Sequence, residues 1–104
     1  MGALVGTFYG AYAENHVYLT VQSSDDSAGP VNATAIINGQ TGTINGMQQI
    51  WADSTTIMLS GKVGENTEEW TLTTSDFNSL NGTRNFTGPT GVCYSQQVGL
   101  GRIG

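Results

Sequence analysis

Gly10-Ala11-Tyr12-Ala13-Glu14-Asn15 returns about 51 residues later as Gly61-Lys62-Val63-Gly64-Glu65-Asn66. The same offset carries Leu19-Thr20-Val21 onto Trp70-Thr71-Leu72, and Ser24-Asp25 onto Ser75-Asp76. After about two extra residues around Gly29-Pro30, Asn32-Ala33-Thr34 meets Asn81-Gly82-Thr83. Gly39-Gln40-Thr41-Gly42 then meets Gly88-Pro89-Thr90-Gly91, and Gln48 meets Gln97. Chance matches in a chain rich in Thr, Gly and Asn would not keep this order with one small gap. A repeat constrains architecture before any single residue does. The spacing predicts two tandem four-stranded units, approximately residues 4–51 and 55–100, within one domain of 104 residues.

Alternation and turn punctuation place the strands. They are expected near Leu4–Tyr12, His16–Ser23, Val31–Ile37 and Gly42–Ile50, then Thr55–Val63, Glu68–Thr74, Leu80–Phe86 and Gly91–Leu100. Gly and Asn between them supply the positive φ that tight hairpins need. No segment has helical periodicity. Eight short strands with hairpin-length links close most simply into an antiparallel up-and-down barrel, which removes exposed sheet edges. The alternative is a β-sandwich.

The matched positions also assign faces. Phe8 and Leu59, Tyr12 and Val63, Leu19 and Trp70, Val21 and Leu72, Val31 and Leu80, Ile37 and Phe86, and Ile44 and Cys93 all fall on one side, the expected interior. Val17 meets Glu68 and Ala35 meets Arg84, so two charges land among apolar positions. They sit at strand ends, pair inside, or mark a slip of register. Cys93 is the only cysteine, which excludes an intrachain disulfide, and it reads as core filler.

Three basic residues, Lys62, Arg84 and Arg102, stand against eight acids, for a net charge of −5. Three scattered cations cannot build the basic patch a nucleic acid requires. No apolar run approaches the roughly 20 residues of a membrane-spanning helix, so no membrane insertion is expected. The N-terminus lacks a charged n-region and a long apolar h-region. A surface of neutral hydrogen-bonding groups suits secreted proteins and sugar binders. An extracellular location is favoured on composition, with the compartment otherwise open.

In an up-and-down order alternate turns share an end. One end gathers Glu14-Asn15 and Glu65-Asn66. Tight hairpins prefer Asn-Gly or Asp-Gly, so turn chemistry alone would not choose Glu-Asn twice. Carboxylate beside amide gives the acceptors and donors that sugar hydroxyls need. The other end gathers Asp25-Asp26, Trp51 with Asp53, and Asp76. Trp51 lies on the face opposite Ile44 and Ile50, so it should be exposed, ready to stack on the C–H face of a sugar. The alternatives are solvated turns and an interface tryptophan. No D-x-D-x-D-G loop occurs, so no metal is expected, and no cofactor motif is present. His16 is the only histidine, on an outer face, without a matched nucleophile and orienter; the chain does not read as an enzyme.

Leu80-Asn-Gly-Thr83-Arg-Asn-Phe-Thr-Gly88-Pro-Thr-Gly91-Val92 resembles a strand-turn-strand of the Oscillatoria-agglutinin family of small β-barrel lectins, and Gln48 to Ser54 resembles their tryptophan-bearing link. The resemblance implies a barrel with sugar sites at its ends. The same stretch, with Glu69-Trp70-Thr71-Leu72, is also similar to avidin-like barrels, which implies a small-ligand carrier. The expectation is therefore a small lectin binding glycans through Glu14, Asn15, Glu65, Asn66, Trp51, Asp53 and Asp76. The alternatives are a carrier of a small apolar ligand and an interaction module without one. An open cavity lined by Phe8, Tyr12, Trp70 and Phe86 would favour the carrier. Met47, Trp51, Val92, Tyr94, Val98 and Leu100 read as outward-facing, with Tyr9 and Met58 beside them. That surface implies a homodimer or homotetramer, with Met47, Trp51, Tyr94 and Val98 at the contact.

Overall fold

The computed structural model describes residues 4–12, 15–24 and 29–104. Glu14, Asp25 and Asp26, and the side chains of Tyr12 and Asn15, lie outside the described residues. Eight antiparallel strands run in order: β1 (Gly6–Tyr12), β2 (Asn15–Ser23), β3 (Gly29–Ile37), β4 (Gln40–Ile50), β5 (Thr55–Val63), β6 (Asn66–Thr74), β7 (Ser79–Thr87) and β8 (Cys93–Arg102). Each pairs with the next, and β8 returns to β1, giving one closed barrel rather than two packed sheets.

Local sequence explains the tightest hairpin. Asn38 (φ 51°) and Gly39 (φ 85°) link Ile37 to Gln40, two positive-φ residues in a two-residue turn whose twist matches the flanking strands. The closing seam is slighter. Only Phe8↔Arg102 and Tyr9↔Gly101 pair between β1 and β8. Thr7 adds to it, its N–H donating to the Gly104 carbonyl at 3.0 Å and its carbonyl accepting from Ile103 N–H at 2.8 Å. Arg102 bolts the seam by donating to the Val5 carbonyl (2.8 Å) and the Phe77 carbonyl (2.7 and 3.0 Å), its guanidinium lying over the Phe8 ring.

The interior is filled by side chains. Phe8, Val17, Leu19, Val21, Val31, Ala35, Ile37, Ile44, Leu59, Val63, Trp70, Leu72 and Leu80 are all buried, as the alternation requires. Small residues keep the tube narrow, 39 Å long by 22 and 21 Å across. At Gly46 a Cβ would run into the Met58 carbonyl of the neighbouring strand.

The eighth strand departs from the expected faces. Cys93 is exposed, whereas Val98 and Leu100 are 4 % and 2 % exposed and belong to the core. The cause is loop length. Two residues separate the paired Ile37 and Gln40, but seven separate the paired Phe86 and Tyr94. The difference is an odd number, and an odd shift sends every following side chain to the opposite face. Val98 therefore cannot serve an intermolecular contact. Tyr94 shares the inward phase but lies at the barrel mouth, where it is exposed.

Candidate functional site

The topology separates the residues expected to bind. The Gly64-Glu65 turn sits with the β3–β4 and β7–β8 links at one end. Trp51, Asp53 and Asp76 sit at the other, on the β4–β5 and β6–β7 links.

At the Trp51 end, the chain leaves β4 and turns back at once, Trp51 N–H donating to the Ser54 carbonyl at 2.8 Å. The indole stands on the outer wall, 58 % exposed, its Nε1–H donating to Thr56 Oγ1 at 3.2 Å. Beside it lies a hollow of about 330 Å³, at the small end of the range for ligand pockets (~300–1,000 Å³). Trp51, Asp53 and Phe77 form its walls, and Gln48, Thr55 and Thr74 contribute from the barrel interior. Those last three are buried polar side chains where the apolar core stops.

Phe77 reaches its place through a strained turn. Its φ of 59° is uncommon for a bulky residue. Phe77 N–H donates to Thr74 Oγ1 at 2.9 Å, and Asp76 Oδ1 accepts from Asn78 N–H (2.9 Å) and Ser79 N–H (3.0 Å). Backbone donation from Asn78 and then Ser79 holds the Asp76 carboxyl below its ordinary range. Asp76 thus shapes the turn and does not line the hollow, while Trp51 and Asp53 are brought together there. Gln48, Thr55, Thr74 and Phe77 escaped the sequence reading, because their convergence depends on two links more than 20 residues apart meeting at one rim.

At the opposite end Glu65 is exposed in its turn and Asn66 is half-buried at the start of β6. Of the expected Glu-Asn pairs only this one is fully described. Below it lies a buried network. Arg84 Nε and Nη2 donate to the two oxygens of Glu68 at 2.6 and 3.0 Å. Trp70 Nε1–H donates to Glu68 Oε1 at 3.0 Å, and Arg84 Nη1 to Gln96 Oε1 at 3.2 Å. The guanidinium lies 3.9 Å from the Phe86 ring centre, and Phe86 stacks on Tyr94. The two charges that interrupted the apolar pattern are thus an internal ion pair, with 2 % and 0 % of their side chains exposed.

A second hollow, of about 240 Å³, lies on the outer wall between Met58, Ser60, Glu69 and Thr71. Among the described residues no three His, Cys, Asp or Glu side chains converge. No protein-family model, no curated protein and no solved structure matches the chain significantly.

Proposed function

We propose that this protein binds carbohydrate in the hollow beside Trp51. One observation carries the reading: an exposed indole, bonded to Thr56, belongs to a residue lining a hollow that Asp53 and the buried polar residues Gln48, Thr55 and Thr74 also line. A pyranose offers an apolar C–H face and a rim of hydroxyls. An aromatic wall beside acceptors and donors matches both. The indole is held before any ligand arrives, so less side-chain freedom is lost on binding. The carrier alternative has less support, since Phe8 and Trp70 are packed into the core and Phe86 stacks on Tyr94.

A glycan array probed with the purified protein and with Trp51→Ala tests this. The expected result is retention of a defined glycan set by the parent and at least tenfold weaker retention by the variant, about 1.4 kcal/mol, with little change in melting temperature. No retention by the parent, or undiminished retention by the variant, would overturn it.

The outer wall supports a second reading, self-association. Met47 and Met58 face each other across β4 and β5, 55 % and 54 % exposed, and Trp51, just past β4, bonds to Thr56 two residues before Met58. Their cross-strand neighbours are Pro30 and Thr71, so the row carries no charge on a chain of net −5. This uncharged row, with Glu69 at its border, is where a second copy of so acidic a chain can approach.

A further inference from the structure

We propose that the Trp51 hollow selects carbohydrates bearing a free, protonated amine, such as 2-amino-2-deoxyhexoses and their oligomers, over neutral and acidic sugars. The inference rests on the carbohydrate reading above and names its ligand class.

Charge distribution at this mouth carries the argument. Asp53 lines the hollow and Asp76 sits in the adjoining link. None of the chain's three basic residues lines it. Arg102 is the nearest candidate in the fold, but its guanidinium is turned onto the carbonyls of Val5 and Phe77 and over the Phe8 ring. Arg84 is paired with Glu68 inside the barrel, and Lys62 stands near the opposite end of β5. An acidic sugar would therefore set its carboxylate beside Asp53 with no countercharge from the lining.

A neutral sugar would use Asp53 as an acceptor, but an ammonium group uses its charge as well, and charge-assisted hydrogen bonds are the stronger kind. The indole adds to the same preference. Tryptophan is the best side-chain partner for a cation above its ring, and Thr56 already fixes this one. Trp51 and Asp53 line the same hollow, so a ligand with a C–H face and an ammonium seated there would meet ring and carboxylate together. The backbone bonds that hold the Asp76 carboxyl in its ionised form keep a second negative charge near the rim. The net charge of −5 steers a cation towards the molecule at low salt.

The test is titration calorimetry of the purified protein with a glucosamine tetramer, its fully N-acetylated counterpart and glucuronic acid, each also monitored by the NMR signal of the Trp51 indole. The amine tetramer is expected to bind at least tenfold tighter than the acetylated one, and glucuronic acid not at all. In Asp53→Asn, whose exposed side chain keeps its shape, the preference should collapse towards unity. Raising the salt should erode it in the parent. Equal affinity for the amine and acetylated tetramers, or a preference that survives in Asp53→Asn, would overturn this inference and leave the carbohydrate reading standing. No retention on the array together with an indole signal that no titrated sugar moves would overturn both.

Discussion

Glu68 and Arg84 are the residues whose placement the sequence marks without explaining. Their phase in the strands puts both on the apolar face, and strand ends, an internal pair or a slipped register would each account for that. The geometry selects the pair, with one guanidinium edge on both oxygens of the carboxylate and Trp70 donating to it as well. Such a pair is a poor source of net stability, because desolvating two charges offsets their attraction. Half a pair is worse, since one charge is left buried and alone. Glu68→Ala and Arg84→Ala should each lower the unfolding free energy by about 3–5 kcal/mol. Replacing both at once, Glu68→Ala with Arg84→Ala, should cost less than the sum. Urea denaturation of the four proteins gives the coupling directly, and additive losses would contradict the bonded geometry.

Strands β1 to β3 and β5 to β7 were legible because turn residues at hairpin length punctuate each apolar alternation, as at Asn38-Gly39. β8 was not, for a definite reason. The phase of a strand depends on the residue count of the link before it, and Gly88 to Val92 contains no turn motif of fixed length. Matching Cys93 to Ile44 across the repeat puts Cys93 inward and Val98 outward, the reverse of what is observed. Close approach between strands was equally hidden. Gly46 looks like any glycine in the chain, yet a side chain there meets the Met58 carbonyl, whereas a Cβ at Gly101 meets nothing within 4 Å. Gly46→Ala should destabilise by about 1–3 kcal/mol, the usual cost of overpacking. Gly101→Ala should stay within about 0.5 kcal/mol. Equal midpoints in chemical denaturation would show that β4 and β5 can part at no cost.

For the molecule as a whole, closure of the barrel brings Trp51 and Asp53 against Phe77 and Thr74, a grouping that no local pattern could announce. Exposure of Trp51 was legible from its phase relative to Ile44 and Ile50, but the hollow was not, since one wall comes from the β6–β7 link. The same closure decides which exposed apolar residues can act together. Met47 and Met58 are neighbours on one wall with Trp51 just past the end of β4, Tyr94 is at the far mouth, and Val98 is inside. On the self-association reading the contact uses the β4–β5 wall, and a two-fold arrangement would set each Met47–Met58 pair against the same pair of its partner. Sedimentation at micromolar concentration should show a species heavier than one chain. Met47→Lys with Met58→Lys should return it to monomer, because two added cations per copy would face two more across the axis. Retention on the glycan array should survive in that variant, since neither methionine lines the Trp51 hollow. A parent that sediments as a monomer at a hundred micromolar would remove the self-association reading and leave the hollow as the role for an exposed Trp51.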